Sequence, residues 1–337
     1  MENTTEQKPL TNCHIVYTPF TGVGLHGGYR GDEWFKHRIE IFKNYTLKSL
    51  LNQTNKSFVH WLSFRPEEKN NPIFLELIEY LKTLEDYKFV VTYHNLIYHD
   101  DKFTNYTLKT KLKNFLQMWH DNLKQNPFKL IKFVWENKND SLLERLTLSL
   151  QEIASIIGTE YQWVYLTRID SDDMFHKDAI DLIQRQDPSY KKALVFDKGY
   201  IINIKTGQLA DWNPPTNPPF HTIIFTQNSF FHPQSHLDYY GNFKSHEDIT
   251  TEFEATTLDN DKYMVAYQGK HISTDWNTGG AKKIYHNIKF KGYCYTSGSG
   301  RNISTHWSDV RTGTHAFIGK EYEDKEFITN VRNDFGV

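Results

Sequence analysis

Residues 165 to 175 read YLTRIDSDDMF, an apolar run that closes on three carboxylates in four positions, Asp170, Asp172 and Asp173. The longer stretch YQWVYLTRI (161 to 169) has the β-branched and aromatic composition of a buried strand, and Asp-Ser-Asp-Asp after it is turn chemistry. A buried strand that ends on like charges needs a compensating partner, because adjacent carboxylates raise one another's cost of ionisation. Two partners suit the pattern. Asp is a favoured N-cap whose charge complements the helix dipole, and HKDAIDLIQRQ (176 to 186) reads as a helix just downstream, so Asp172 or Asp173 fits a cap. Alternatively, strand alternation aims Asp170 and Asp172 to one side, and a following turn adds Asp173. Such an oxygen set suits Mg²⁺ or Mn²⁺ when a diphosphate supplies the remaining ligands. Capping accounts for one carboxylate rather than three, and both readings stay open on spacing alone. A calcium loop of the EF-hand type is excluded, since its sixth position requires glycine and is Phe175 here.

On either side of this stretch the chain alternates between two periodicities. HIVYTPF (14 to 20) reads as a first strand and GVGLHGGYRG as a glycine-rich loop. From Asp32 the period becomes helical, with Trp34, Phe35, Arg38, Ile39, Phe42, Leu47, Leu50 and Leu51 on one face. FVHWLSF (58 to 64) is a strand, IFLELIEYLKTL a helix and YKFVVTYH (87 to 94) a strand. A helix near 106 to 124, a strand at 128 to 135 and a helix at 141 to 157 lead back to YQWVYLTRI. Strand and helix in turn predict an α/β fold, a mainly parallel twisted sheet with helices on both faces, and ligands outside the carboxyl ends of its strands. Beyond 190 the texture changes. ALVFDKGYIINIKTGQLADW (193 to 212) reads as a hairpin turning at Lys205-Thr206-Gly207, and WNPPTNPPF is stiff and Pro-rich. Residues 1–12 are expected to be loose, 13–190 to form one half, and 191–337 a smaller, antiparallel and loop-rich half of the same body.

Bulk properties narrow the partners. Thirty-nine Lys and Arg face 41 Asp and Glu without a long block of one sign, so an electrostatic grip on nucleic acid is not indicated. Eighteen apolar residues never run together, and the first thirty residues lack a charged start followed by an apolar core, so neither an integral membrane segment nor a secretory leader is expected. Cys13 and Cys294 have no metal-type spacing, which fits free thiols in a reducing, cytoplasmic setting. Aromatic residues make up 15% of the chain and often sit among polar neighbours, as in DEWF and STDWN. Rings beside hydrogen-bonding groups suit sugar faces, although ordinary core packing accounts for most of them.

Gly22-Val23-Gly24-Leu25-His26-Gly27 satisfies G-x-G-x-x-G after a strand, the pattern of a dinucleotide-dependent oxidoreductase. Helical periodicity begins only at Asp32, however, whereas that motif opens its helix within the glycines. Arg30 in the same loop is a candidate phosphate contact. SHEDITTEFEA places Glu247 and Asp248 ahead of an apparent helix, as candidates for a general base or for a cap with an acidic first turn. GKHISTDW (269 to 276) and GRNISTHW (300 to 307) share one frame, which offers His271, or His306 in the echo, as a metal ligand. A non-catalytic carbohydrate-binding protein would use the aromatic residues without any of this chemistry.

Trp34-x3-Arg38-x3-Phe42 with YTLKSLLNQT and FVHWLSF, then YLTRIDSDD, the FDKGY hairpin, NPPF and a late His-Ile-Ser occur in order between about residues 14 and 276. The set resembles the rhamnosyltransferase-like family of GT-A glycosyltransferases, and TRIDSDD after a strand is its most specific piece. The resemblance implies the GT-A fold, with 13–190 binding a nucleotide-sugar and 191–337 shaping the acceptor site. It also implies a metal-dependent transfer of a sugar from a nucleoside diphosphate donor, UDP- or dTDP-linked, to a hydroxyl of a glycan. Asp170, Asp172 and Asp173 would hold Mn²⁺ or Mg²⁺, joined by His271. Thr18, Pro19, Arg30, Arg168 and Asp170 would bind the donor, and Glu247 or Asp248 would act as base. The glycine-rich loop at 22 to 31 departs from the family pattern, and the resemblance does not place residues beyond 280.

Overall fold

The computed structural model describes residues 11–20, 32–94, 142–189, 192–212, 219–240, 249–267 and 318–337. Their strands and helices follow in chain order: β1 (Thr11–Pro19), α1 (Asp32–Ile41), α2 (Leu47–Leu51), β2 (Val59–Ser63), α3 (Pro72–Lys82), β3 (Phe89–Thr92), α4 (Leu142–Ile157), β4 (Tyr161–Arg168), β5 (Asp173–Phe175) and α5 (Ala179–Gln184). Then come β6 (Lys192–Val195), β7 (Gly199–Asn203), β8 (Leu209–Trp212), β9 (His221–Thr226), α6 (Gln227–Phe231), α7 (Pro233–Tyr240), α8 (Ile249–Glu252), β10 (Glu254–Thr257), β11 (Tyr263–Tyr267), β12 (Ile318–Tyr322) and α9 (Lys325–Asp334).

These elements build an α/β fold with two mixed sheets. The larger has seven strands in the order β10-β6-β9-β4-β1-β2-β3. β9 is antiparallel to both β4 and β6, and every other neighbouring pair is parallel. The smaller sheet runs β12-β8-β7-β11-β5, antiparallel except between β7 and β11. Strands on both sides of residue 190 enter both sheets. The expected hairpin therefore starts at Gly199, because Lys192–Val195 is drawn into the large sheet beside β9. Its turn is where the sequence put it: Asn203 Oδ1 accepts from the N–H groups of Lys205 and Thr206, and Gly207 takes φ 76°.

Both faces of the large sheet are covered. On one, α4 lays Leu146, Leu150 and Ile153, spaced four and three apart, against Ile15, Tyr17, Val164 and Leu166. On the other, α1 and α3 pack Phe35, Ile39, Phe74 and Leu77 around Leu62 and Phe64. Beside them, α5 and the small sheet close over Val16, Tyr165 and Ile224. Between α1 and α2 the helix widens by one π-turn over Phe42–Thr46, where the Leu47 N–H donates to Phe42 O. That turn absorbs the five-residue step from Phe42 to Leu47, so both side chains stay fully buried.

Gly199 marks the closest approach within the small sheet. A Cβ there would lie 2.4 Å from the Tyr263 carbonyl oxygen, a backbone atom with no room to yield, whereas Gly207 has open space and only its positive φ to protect. Gly199→Ala is therefore expected to cost about 3 kcal/mol, the top of the overpacking range, and Gly207→Ala about 1–2 kcal/mol from left-handed backbone strain. Urea unfolding of the two variants checks the order, which equal losses would contradict.

Candidate functional site

The strand order reverses between β1 and β4: β1 continues through β2 to β3 on one side, and β4 leads to β9, β6 and β10 on the other. Such a switch point leaves a crevice at the carboxyl ends of the two strands, where open α/β sheets bind ligands. The carboxyl end of β4 is where the acidic stretch stands. β4 is held in parallel register by β1, with Tyr17 opposite Arg168, and the Ile169 N–H donates to Tyr17 O at 3.0 Å. The chain then reverses in one tight turn, closed by the Asp173 N–H donating to Asp170 O at 3.1 Å. Asp is favoured at the first position of such a turn. From Asp173 the chain enters β5, pairing with Val265 of β11, so four residues carry it from the large sheet to the small one.

Two guanidinium groups meet the turn. Arg168 donates through Nε and Nη2 to Asp170 Oδ1 at 3.2 and 3.1 Å. Arg38 Nη1 lies 2.5 Å from Asp172 Oδ2, both side chains mostly buried, and its guanidinium carbon sits 5.4 Å from the centroid of the Trp34 ring one helical turn earlier. Arg168 shares its face of the sheet with Tyr17 and Trp61, while α1 packs on the Leu62 face, so the two cations approach from opposite sides. Asp173 is different. It is 5% exposed and accepts a hydrogen bond from the Ala266 backbone N–H. Burial, and then the neighbouring Asp172 and Asp170 charges, push its carboxyl well above the usual carboxylate range, against the pull of Arg38 and that N–H.

These positions correct part of the sequence reading. Neither Asp172 nor Asp173 caps a helix: Asp173 opens a strand, and the N-cap of α5 is Asp178, whose side chain makes no capping hydrogen bond. Asp173 is buried where β5 pairs with β11, and it stays close enough to Asp170 and Asp172 to feel both of their charges. Among the described residues no three His, Cys, Asp or Glu side chains converge as a metal site. Arg168, expected at the donor, pairs with Asp170 at the end of β4. Thr18 and Pro19 do stand at the carboxyl end of β1, but the Thr18 hydroxyl is buried against His60 Nε2 at 2.8 Å. Arg30, Glu247, Asp248, His271, the Gly22–Gly27 loop and the segments 106 to 124 and 128 to 135 lie outside the described residues. Arg38 was legible only as a member of a helical face. Its spacing of four from Trp34 was the available signal, and its pairing with Asp172 required the fold.

What the pair of carboxylates can hold follows from its donors. Mg²⁺ and Mn²⁺ take hard oxygen ligands, and one or two carboxylates suffice when substrate phosphates complete the shell. Asp170 and Asp172 carry such oxygens, each also in an ion pair with an arginine. In comparisons with known proteins, no family model matches the chain and no curated protein matches it. No helix among the described residues is long and apolar enough to cross a membrane.

Beneath the turn, β1 and β4 are joined by polar side chains. Gln184 Nε2 donates to His14 Nδ1 at 3.1 Å, which leaves the proton on Nε2 to be given to Thr167 Oγ1 at 2.7 Å. The Thr167 and Thr222 hydroxyls are 2.6 Å apart, extending the row to β9. Burial lowers the pKa of His14 to about 3, that of His60 to about 3 and that of His236, in α7, to about 4. All three are neutral in the fold, yet protonate near 6.5 once unfolded. Below pH 6.5 the unfolded chain binds more protons, so stability is full at neutral pH and falls with acidification, by about 1.4 kcal/mol per pH unit for each histidine. Urea midpoints at pH 7, 6 and 5 should drop accordingly, and His14→Gln should flatten the slope. An unchanged slope in that variant would contradict the assignment.

Proposed function

We propose that the chain is a metal-dependent glycosyltransferase that moves a sugar from a nucleoside diphosphate donor to a hydroxyl of a glycan. The observation that carries the reading is the acidic turn at the switch point. Two carboxylates with hard oxygen donors stand at the carboxyl end of β4, beside the end of β1, each beside a guanidinium group able to accept phosphate. The ordered motifs of the sequence support the same reading and add the GT-A family.

Asp170 and Asp172 would hold Mg²⁺ or Mn²⁺ and orient the donor's diphosphate. The ion, when bound, supplies positive charge where the leaving diphosphate gains negative charge. Arg168 and Arg38 bring guanidinium forks to the same place from the two faces of the sheet. Asp173, whose burial pushes its carboxyl well above the usual carboxylate range, joins the turn to β11. An acceptor hydroxyl must lose a proton as it attacks the anomeric carbon, and the resemblance assigns that task to Glu247 or Asp248. It assigns His271 as the remaining protein ligand to the metal.

A thermal-shift screen of UDP- and dTDP-sugars with and without Mn²⁺ tests the reading. A donor present at a hundred times its dissociation constant stabilises the native state by about 2.7 kcal/mol. That stabilisation is expected only with the metal, and the metal-dependent part of it should vanish, along with transfer, in Asp172→Asn. A metal-independent response to NADH alone would instead support the oxidoreductase, and glycan binding without nucleotide or metal a binding protein. For the base, Glu247→Ala or Asp248→Ala should slow transfer about 10²-fold or more at unchanged donor affinity; normal transfer in both variants removes the assignment.

A further inference from the structure

His176, the residue after β5, stands where separate pieces of the chain meet. Its backbone N–H donates to Lys262 O at 3.0 Å, just ahead of β11, and its Nδ1 accepts from the Asp178 N–H at 3.2 Å, at the start of α5. Nε2 lies 3.7 Å from Asp334 Oδ2 at the end of α9, and the Phe335 ring meets the imidazole edge-on at 5.6 Å. With Nδ1 used as an acceptor, the neutral ring carries its proton on Nε2, toward Asp334. The charges facing the ring come from every element around it. Asp178 Oδ2 is 3.6 Å from Nδ1, Lys177 Nζ is 2.7 Å from Asp334 Oδ1, and Lys262 adds a second ammonium group. Two carboxylates and two ammonium groups balance only while the imidazole is neutral. The helix that this cluster secures has little else to hold it. Between residues 325 and 335 only Val331 and Phe335 are buried, so α9 can open at less cost than the strands of either sheet.

We propose that the end of α9 is a pH-operated latch on β5, closed while His176 is neutral and released when its ring takes a second proton. A second proton must go to Nδ1, where it meets the Asp178 N–H, so that hydrogen bond is lost, and the new charge falls on a ring only 12% exposed. Asp334 is poorly placed to answer it, because that carboxylate is already engaged by Lys177. Burial first, and then the Lys262 ammonium, hold the ring below its ordinary 6.5, with Lys177 adding to them and Asp334 and Asp178 opposing. Once α9 lifts away, the ring titrates at its ordinary value. The closed form therefore has its full advantage above pH 6.5, and below it the open population grows by at most about tenfold per pH unit for one proton. Release has a definite consequence for the fold. The bonds from the Lys177 N–H and Asn52 to the end of α9 are given up, and Ser49 and Gln53 of the α2 end remain to hold the strand that follows the acidic turn. The latch is independent of the glycosyltransferase reading, since it involves neither donor nor metal.

Amide hydrogen exchange on the full chain, read by mass spectrometry at about pH 7 and about pH 5.5 and corrected for the intrinsic pH dependence of exchange, tests the latch. Peptides from α9 should exchange ahead of those from α4 and β4 at both pH values, and their protection should fall several-fold, to at most about tenfold per pH unit, on acidification. His176→Gln keeps an acceptor for the Asp178 N–H but cannot take the proton, so protection of α9 should no longer change between the two pH values. Lys177→Met supplies a second readout that leaves the ring in place: α9 should exchange faster at neutral pH, and its pH response should shrink, because a cation that keeps the ring neutral is gone while Asp334 is released to favour the proton. Equal protection of α9 at both pH values in the wild type, or tighter protection in acid, overturns the proposal. So does a wild-type pH response surviving in His176→Gln, or an α9 that opens only together with α4 and β4.

Discussion

Three carboxyl groups in a single four-residue turn repel one another, and the surrounding structure is arranged so that each meets a different answer. Asp170 is answered by Arg168 from its own strand end, Asp172 by Arg38 from α1, and Asp173 by burial beside β11, which favours its neutral form. These answers require three separate elements to arrive at the turn: the α4-covered face of the sheet for Arg168, the α1-covered face for Arg38, and the small sheet for Asp173. Removing Arg38 would leave the Asp172 charge uncompensated in a poorly solvated place, where it costs more than a surface ion pair supplies. The join between the two sheets is thus also the point of highest electrostatic demand.

Much of this frame was legible in the sequence because period and composition are local. The helical face from Trp34 to Leu51, the strand FVHWLSF, the helix around 73–82 and the strand YQWVYLTRI all appear as elements, while the π-turn at Phe42–Thr46 was not read from the spacing. The position of the acidic stretch at a strand's carboxyl end was legible for the same reason. What was not legible depends on pairing across the chain. Lys192–Val195 and Gly199–Asn203 look alike as apolar runs, and only the neighbours available to each, β9 for one and β8 for the other, send them to different sheets.

The roles of the individual carboxylates were hidden for the same reason. Spacing alone makes Asp172 and Asp173 equivalent candidates for a helix cap, since α5 follows six residues later. The turn closed by the Asp173 N–H instead hands the chain to β5, and β5 consumes the residues that a cap would have needed. Arg38 shows the complementary blindness. A basic residue on an amphipathic helix usually means a solvated face, and nothing local announces that its partner lies more than 130 residues away.

The C-terminal residues, which the sequence left unplaced, have a physical task that follows from the short length of β5. Three residues of strand are too few to fix a turn by ladder hydrogen bonds alone, so the segment after it must be held from outside. The end of α9 and the residues after it supply that hold. The Lys177 N–H donates to Asp334 O at 2.8 Å, Lys177 Nζ pairs with Asp334 at 2.7 Å, and Asn52 of the α2 end donates to the Asn333 and Asp334 carbonyls. Phe335 packs edge-on to His176, and Gly336, at φ 72°, lets the chain pass where a Cβ would meet Asn52 at 2.8 Å. On the near side, Ser49 Oγ accepts from the Phe175 N–H, and Gln53 bonds both His176 O and the Ile180 N–H. The acidic turn is therefore fastened at both ends: upstream by the β1–β4 register and downstream by a clamp of α2 and α9.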